Sequence, residues 1–329
     1  MFFCINLRAQ TEQMGGVPAE FSGIVEANGQ VYCAVHTKVY RYNETTEDWT
    51  SSGHAILNAD DEPEYIQELF SIDDILYATV FNEGIFRSDD GANSWTRVGN
   101  IFQIGVTPVY AEWVEEGVIY MWHQRQLLVS EDGGLSFFAR LWLGQTLSDR
   151  LGGCTTLDGT SYCFTRAIGS PKLLTSTDHF ETFTETNLPF AGEYPNQALT
   201  FQGNLLCLTE QLYRSDDAAQ SWEAVTLPDP AMNDAPRVLQ LKVLGDSLFL
   251  LTDAGFYKTG DPNLENWEEV PLDIPYLLER EEANFDFYQA GGEMWLTQSA
   301  LWKNVDGDWE EQISGIHNGP VFRLTHDQG

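Results

Sequence analysis

The nine residues from Arg87 to Trp95 read RSDDGANSW, a polar run that ends in a tryptophan. The short alternating stretches Gly84–Arg87 and Trp95–Val98 flank this run on either side. Two such stretches joined by an Asp-Gly turn are typical of a β-hairpin. Serine and aspartate side chains can hydrogen-bond to the backbone of a turn, and a tryptophan supplies a large apolar surface for packing. The stretch therefore predicts a hairpin whose turn residues have a structural role.

The same pattern recurs along the chain. In each copy an aspartate lies two residues after a serine, and an aromatic residue lies seven residues after the same serine. The four copies are Ser88, Asp90 and Trp95; Ser130, Asp132 and Phe137; Ser176, Asp178 and Phe183; and Ser215, Asp217 and Trp222. Less complete copies precede Trp49, Trp267 and Trp309, and successive aromatic positions are 46, 42, 46, 39, 45 and 42 residues apart. A period in the forties with strands in every unit indicates the blades of a β-propeller.

A second series of turns has the same period. Each unit opens with a turn-forming dipeptide that an apolar strand follows: Asn28-Gly29, Asp73-Asp74, Glu116-Gly117, Asp158-Gly159, Gly203-Asn204, Gly245-Asp246 and Gly291-Gly292. Both series count seven units. We therefore predict an all-β fold, a seven-bladed β-propeller of four-stranded antiparallel blades. The predicted organisation is a leader or linker at 1–20, the propeller at 21–320, and a closing strand or the start of a truncated repeat at 321–329.

The four serine-aspartate copies resemble the Asp-box, or BNR repeat, whose pattern is Ser-x-Asp-x-Gly-x-Thr-Trp. The copy at Ser130 keeps the fifth-position glycine, Gly134, and has Phe137 in place of the tryptophan. The chain is thus similar to sialidase-like propellers, in which the Asp-box is a fold element that lies away from the ligand face. A sialidase would also use converging arginines and a tyrosine nucleophile beside a glutamate. The Arg-Ile-Pro motif of those enzymes is absent here, and seven blades differ from their usual six.

The composition is strongly acidic. Seventeen Lys and Arg residues against fifty Asp and Glu residues give a formal net charge of −33. This balance excludes nucleic acids and anionic membranes as partners, because phosphate contacts need clustered Lys and Arg. The chain also has no run of eighteen apolar residues, so we expect no membrane insertion. The start, MFFCINLRAQ, resembles the end of a secretory signal, which predicts a secreted or cell-surface protein; an ordinary frayed N-terminus is the alternative.

The cysteines and histidines have no metal-binding spacing. The five cysteines include no CxxC pair, and no His-x-x-x-His motif occurs among the six histidines. We therefore expect no metal and no cofactor. If Asp158-Gly159 is a two-residue turn, Cys154 faces Cys163 across the hairpin, and both a disulfide and two free thiols stay open there. Cys33, Cys163 and Cys207 hold equivalent repeat positions and are predicted to be small buried hydrophobes.

The candidate ligand site lies in the loops between second and third strands and between blades. These loops share one end of the sheets, which we call the loop face, and they are the longer ones. The candidate ligand-binding residues are Asp60, Asp61, Arg125, Trp142, Arg166, Tyr194, Arg237, Tyr276 and Arg280. Carboxylates could serve a glycosidase, arginines a ligand carboxylate, and aromatic rings a sugar. Arg140 and Arg150 are also placed at the loop face or its margin. Solvated acids, arginines that pair with neighbouring acids, and core aromatics are the alternative interpretations.

We expect an exported, non-catalytic, monomeric propeller that binds a protein or glycan ligand through the loop face, with no catalytic residue. The alternative is a glycoside hydrolase, sialidase-like or of a related Asp-box class, that uses loop-face carboxylates. A third interpretation is an assembly factor similar to the propellers that assist photosystem biogenesis, which share these repeats and lack chemistry of their own.

The net charge predicts a salt-dependent stability. Like charges come closer on folding, and the Debye length falls from about 30 Å at 0.01 M salt to about 8 Å at 0.15 M. We expect the melting temperature to rise between these concentrations of NaCl, with most of the gain early. A flat or falling curve in a fluorescence melting experiment would contradict this expectation. A saturable gain with calcium at micromolar concentration would instead identify the acids of 60–64 as metal ligands.

Overall fold

The computed structural model describes residues 21–53, 55–57, 62–80, 83–98, 109–115, 117–123, 126–142, 151–166, 171–190, 193–228, 238–252, 255–272, 286–297, 300–305, 308–312, 314 and 316. These residues form twenty-eight β-strands. Within the described ranges, no helix is long and apolar enough to cross a membrane. The predicted leader at 1–20 and the predicted closing segment at 321–329 lie outside the described residues.

The strands form seven sheets of four consecutive antiparallel strands each. Blade 1 contains β1 (Phe21–Ala27), β2 (Gln30–Val35), β3 (Lys38–Asn43) and β4 (Asp48–Ser51), and blade 2 contains β5 (Ile66–Ile72), β6 (Ile75–Val80), β7 (Gly84–Ser88) and β8 (Thr96–Val98). Blade 3 contains β9 (Val109–Glu115), β10 (Val118–His123), β11 (Gln126–Ser130) and β12 (Phe138–Trp142), and blade 4 contains β13 (Leu151–Leu157), β14 (Thr160–Thr165), β15 (Lys172–Ser176) and β16 (Thr184–Asn187).

The remaining three blades follow the same order. Blade 5 contains β17 (Gln197–Phe201), β18 (Asn204–Leu208), β19 (Leu212–Ser215) and β20 (Glu223–Ala224), and blade 6 contains β21 (Val238–Leu244), β22 (Ser247–Thr252), β23 (Phe256–Thr259) and β24 (Glu268–Glu269). Blade 7 contains β25 (Asp286–Ala290), β26 (Glu293–Thr297), β27 (Leu301–Val305) and β28 (Asp308–Glu311). The prediction of a seven-bladed β-propeller with four-stranded antiparallel blades is confirmed.

The second strand of a blade is its most buried strand. All but the first residue of β2, β6, β14 and β22 is buried, and every residue of β18 is buried. Strands that are apolar on both faces need cover on both faces. In an isolated four-stranded sheet, both faces of these strands would be exposed to solvent. These strands therefore require packing against other blades.

The chain forms two compact units. One comprises the described residues within Met1–Ala78, Ser88–Trp95 and Glu282–Gly329, and the other comprises those within Thr79–Arg87 and Thr96–Glu281. Blades 1 and 7 therefore lie in the first unit, and blades 3 to 6 lie in the second.

Blades 1 and 7 pack together within the first unit, although they come from opposite ends of the chain. Tyr42 and Trp49 of blade 1 surround Trp295 of blade 7, with ring centroids 5.0 and 5.6 Å from that of Trp295. The indole N–H of Trp49 donates to the carbonyl of Gln312 at 3.1 Å. Aromatic contacts at these distances contribute more than their buried area alone. The first and last blades are thus joined by a dry aromatic core.

The turns between first and second strands use left-handed backbone angles. Asn28 and Gly29 have φ of 52° and 67°, and Asp158 and Gly159 have 50° and 73°. Two such residues in a row give the turn that matches the twist of a tight hairpin. The predicted turn Gly203-Asn204 is wrong by one residue, because Phe201 pairs with Asn204 and the turn is Gln202-Gly203. Asn204 is buried and donates its side-chain amide to the carbonyl of Phe201, which places it in β18.

The serine-aspartate turns are held by side chains. In the first copy, Ser88 Oγ accepts from Ala92 N at 2.9 Å and donates to Asp90 Oδ1 at 2.8 Å. Ser94 donates its N–H to Asp90 Oδ1 at 2.9 Å and its hydroxyl to Asp90 Oδ2 at 2.6 Å. The copies at Ser130, Ser176 and Ser215 repeat the same four hydrogen bonds. The two side chains thus bind backbone amides that the parting strands leave without ladder partners.

The aromatic residue after the turn is not buried in every copy. Phe137 is 4% exposed and Trp309 is 8% exposed, but Phe183 is 40% exposed. In that copy Phe180 is fully buried and joins the hydrophobic core between blades 3 and 4. Other copies have alanine or glycine at the position of Phe180, as at Ala92. A large side chain at this inward position fills the space, so Phe183 stays outside.

Cys154 and Cys163 form a disulfide. They pair directly across β13 and β14, as the turn at Asp158-Gly159 predicts, so one of the two open alternatives is settled. Cys33 and Cys207 are free and buried, and burial raises the pKa of both thiols. A raised pKa keeps a thiol protonated and poorly reactive.

The aspartate turns predict a pH dependence. Hydrogen bonds from Thr182 and Ser176 lower the pKa of Asp178 to about 2, below the usual value of about 3.9. Its carboxylate therefore contributes stability above pH 4 that is lost as the pH falls toward 2. We expect Asp178→Asn to melt below the wild type at pH 6, and the gap to shrink between about pH 4 and 2. The control is Glu210→Gln, and a gap for Asp178→Asn that is constant with pH would contradict the assignment.

Candidate functional site

Only part of the predicted ligand site lies among the described residues. Six of the nine candidates lie outside them: Asp60, Asp61, Arg125, Arg237, Tyr276 and Arg280. Trp142 ends β12, but its side chain also lies outside the described part. Arg166 directly follows β14 and is half-buried, and Tyr194 precedes β17 and is 39% exposed. Because β14 ends and β17 begins at the loop face, these two side chains belong to the same end of neighbouring blades.

The segment that carries Tyr194 is fixed to the end of β18. Asn196 donates its backbone N–H to Leu208 O at 2.7 Å and its side-chain amide to Thr209 O at 3.3 Å. On the other side of Tyr194, the N–H of Glu193 donates to the carbonyl of Phe190 at 3.3 Å. Tyr194 is therefore an exposed aromatic ring on a backbone that is hydrogen-bonded on both sides.

Two glycines of blade 4 allow this segment to approach closely. A Cβ on Gly152 would lie 2.2 Å from Pro195 O, and a Cβ on Gly153 would lie 2.4 Å from Ala198 N. Gly153 also has a φ of +127°, which L-residues rarely adopt. The inner strands of blades 4 and 5 thus meet backbone to backbone beside Tyr194. Any side chain at Gly152 would push the Tyr194 segment away.

Glu193 is a loop-face carboxylate that the sequence did not single out. Its Oε1 accepts from the Tyr213 hydroxyl at 2.9 Å, and its Oε2 accepts from the hydroxyl of Thr209. Burial and the neighbouring Glu193 raise the pKa of Tyr213 to about 12. Both contacts tie Glu193 to its own blade, blade 5.

A threonine that recurs at one repeat position is the sequence feature that could have indicated the hydrogen bonds around Glu193. Thr165, Thr209 and Thr252 hold the same position at the ends of their second strands. Thr252 Oγ1 bonds Gly255, and Thr165 Oγ1 accepts from Lys172 N, so each caps its loop. Thr209 Oγ1 likewise accepts from Gln211 N and in addition holds the carboxylate.

The acidic loop of blade 1 begins and ends in an isolated bridge. Leu57 pairs with Pro63, and Glu64 N donates to Ile56 O at 3.0 Å. Asp60 and Asp61 fall between these contacts and outside the described residues. Among the side chains that the structure describes, no group of three or more His, Cys, Asp and Glu is arranged to hold a metal ion.

Arg140 forms ion pairs with two glutamates, as the alternative interpretation of the arginines predicts. Its guanidinium donates to Glu131 Oε1 at 2.9 Å and to Glu181 Oε1 at 2.7 Å. Glu131 belongs to the serine-aspartate turn of blade 3 and Glu181 to that of blade 4. The arginine therefore bridges two blades at the turn end of the sheets, opposite the loop face. It is not part of a loop-face ligand site.

No protein-family model matches the chain. No curated protein matches it either.

Several solved structures have a similar fold. YCF48 from Cyanidioschyzon merolae is 12% identical, with a TM-score of 0.59 over 86% of this chain and 94% of that chain. A structure described as YCF48 bound to D1 peptide is 11% identical, with a TM-score of 0.60 over 92% of this chain and 94% of that chain. The GH74 enzyme of Niastella koreensis is 14% identical, with a TM-score of 0.61 over 90% of this chain and 54% of that chain.

A surface component of the type-IX secretion system, PorZ of Porphyromonas gingivalis, is 12% identical. Its TM-score is 0.61, and the match covers 90% of this chain and 38% of that chain. Because these identities are low and the proteins differ in what they do, the likenesses show the β-propeller fold alone.

The close approach at Gly152 predicts a position that tolerates no side chain. We expect Gly152→Ala to lower the free energy of unfolding by about 1–3 kcal/mol, because the new Cβ would overlap Pro195. Chemical denaturation measures this change. The control is Gly260→Ala, since a Cβ at Gly260 would have no atom within 4 Å. Equal stability of both variants would contradict the close packing of blades 4 and 5.

Proposed function

We propose that this chain is an exported, non-catalytic β-propeller that binds a protein or glycan ligand through its loop face. The observation that carries the proposal is Tyr194, an exposed aromatic ring on a segment tied to β18 through Asn196. A rigid, exposed aromatic side chain gives contact area at low entropic cost, for a sugar ring as for a peptide. Arg166 at the end of β14 adds a donor for a ligand carboxylate or carbonyl.

The hydrogen bonds of Glu193 support a role without catalysis. Both of its oxygens accept hydrogen bonds, one from Thr209 and one from Tyr213. A glycosidase needs two carboxyl groups that reach the scissile bond, one of them to donate a proton. Glu193 faces its own blade instead, which favours a structural carboxylate.

Two further observations agree with the proposal. The four serine-aspartate turns, each with the same hydrogen bonds, support placing the chain among Asp-box propellers, where such turns build the fold. The structure of YCF48 bound to D1 peptide is a precedent for a propeller of this size that binds a peptide. The export in this proposal rests on the resemblance of residues 1–10 to the end of a signal sequence.

The test measures binding at the loop face. Labelled protein is applied in parallel to a glycan array and a peptide array, and the best hit is titrated against Tyr194→Ala and Arg166→Ala. We expect each variant to weaken binding by about three- to tenfold, as the loss of one aromatic or charged contact does. The matched control is Phe183→Ala, because Phe183 is equally exposed at 40% but follows a turn at the opposite end of blade 4.

The outcomes separate the candidate functions. Binding that Phe183→Ala weakens as much as Tyr194→Ala, or no binding on either array, would contradict a loop-face ligand site. A screen with sialidase and endo-glucanase substrates addresses the glycoside hydrolase. Turnover that is abolished by replacing a loop-face carboxylate would overturn the non-catalytic proposal.

A further inference from the structure

A cleft of about 500 Å³ opens between blades 5 and 6. One wall is the outer edge of blade 5, residues 223–228, and the other is the turn of blade 6 with Asn263, Leu264, Glu265 and Trp267. Both walls belong to the same compact unit. None of the nine candidate ligand-binding residues lines this cleft.

The blade 5 wall is an open sheet edge. The strand β20 is the last strand of its sheet, and among the described residues it pairs with β19 alone. Val225 N donates inward to Leu212 O at 2.8 Å. Since backbone groups of an antiparallel strand alternate in direction, the N–H and C=O of Ala224 point away from β19, and Thr226 lies two residues further along, just beyond the end of β20. An extended segment placed beside this edge would find the donor and the acceptor of Ala224.

A buried arginine holds the two walls in place. Arg214 is 8% exposed, and its Nε donates to Glu223 Oε1 at 2.7 Å. Its Nη1 donates across the gap to Pro262 O at 2.9 Å and to Asn263 Oδ1 at 3.0 Å. The edge of blade 5 and the turn of blade 6 are therefore fixed relative to one another, and the cleft is preformed.

The turn on the blade 6 side is also rigid. Asp261 accepts from Asn263 N at 2.9 Å and from Asn266 Nδ2 at 2.8 Å. The Trp267 indole donates to Leu264 O at 3.0 Å, which fixes the half-buried ring beside the cleft. The cleft thus offers one immobile aromatic surface.

The charges of the cleft select a basic occupant. Two carboxylates, Glu223 and Glu265, line it, and no Lys or Arg is among its lining residues. Of the two glutamates that follow Trp267 in β24, Glu268 is paired with Lys258 at 3.3 Å, which leaves Glu269 to add to this charge. Arg214 neutralises part of this charge but is itself held by Glu223 and Asn263. A second copy of this edge would place its own glutamates against these, so a basic partner fits better than self-association.

We propose that the cleft binds an extended peptide segment with alternating basic residues. The segment adds as a fifth strand to blade 5, and its backbone pairs with Ala224. Its lysine or arginine side chains on the blade 6 side reach Glu223 and Glu265, and their aliphatic stems pack against Trp267. Addition of a strand to an open sheet edge is a recurring mode of peptide recognition.

The test uses a fluorescein-labelled peptide of sequence GSKVKVKSG and fluorescence anisotropy with the intact chain. We expect saturable binding at about 0.15 M NaCl that weakens as salt is raised. The peptide GSEVEVESG should not bind, because it reverses the charge. The peptide GSKPKPKSG, which keeps all three lysines, should bind at least about tenfold more weakly, because its prolines lack backbone N–H donors.

Variants of the chain locate the site. Glu265→Lys should weaken binding about tenfold, whereas Glu210→Lys, the same change on an exposed residue at the loop face of blade 5, should not. Ala224→Pro removes an outward N–H while leaving the bonds to β19, and should weaken binding similarly. The control is Asn187→Pro at the outer edge of blade 4. It also removes an outward N–H, because the next residue, Leu188, donates its N–H inward to Pro171 O.

Equal binding of the acidic peptide, or loss with Glu210→Lys as large as with Glu265→Lys, would overturn the proposal. Dimer formation at this edge would also overturn the proposal. It would appear in light scattering as a molecular mass that doubles as the protein concentration is raised, and Ala224→Pro would abolish the doubling. Melting curves check that each variant is folded. If Ala224→Pro unfolds, the proline peptide tests the same backbone pairing. Tyr194→Ala should leave this binding unchanged, which separates it from the loop-face proposal.

Discussion

A serine and an aspartate side chain that together accept hydrogen bonds from two backbone amides of an exposed turn form the interaction on which blades 2 to 5 depend. In the turn of Asp90, the outer strand leaves its neighbour, and the amides of Ala92 and Ser94 lose ladder partners. The serine and aspartate side chains supply acceptors in their place at 2.9 Å. Backbone amides that go without any partner are costly, so this local substitution allows the third and fourth strands to separate and rejoin.

The blades are then joined by cations that precede these turns. Arg87 of blade 2 donates to Gly133 O of blade 3 at 3.3 Å, and Arg214 of blade 5 donates to Pro262 O of blade 6 at 2.9 Å. Lys303 of blade 7 lies 5.5 Å from the centre of the Tyr42 ring of blade 1. Three of the seventeen basic residues of a chain with fifty acids thus contact a neighbouring blade from a position just before a turn. Hydrogen bonds from arginine to carbonyl groups and the lysine–aromatic contact make the packing between these blades specific, in addition to its apolar contacts.

The same repeated geometry leaves different surfaces free. The outer strand β20, of two residues, leaves its edge beside the turn of blade 6, whereas the inner strands of blades 4 and 5 meet through glycine. Tyr194 therefore lies beside a close backbone contact between blades 4 and 5. The cleft beside Trp267 lies where blades 5 and 6 are less closely packed. Ligand sites of different character can coexist on one scaffold because the loops and edges vary while the turns do not.

Local patterns were sufficient to predict the number of blades, the strand order, and the pairing of Cys154 with Cys163, because turn chemistry and strand alternation act over a few residues. The position of Phe180, the turn at Gln202-Gly203 and the two partners of Glu193 were not readable in this way. Each depends on which side chain fills a gap between strands, and such gaps are set by packing. The cleft walls lie about forty residues apart in sequence, at 223–228 and 263–267, so only folding brings the edge of one blade to the turn of the next.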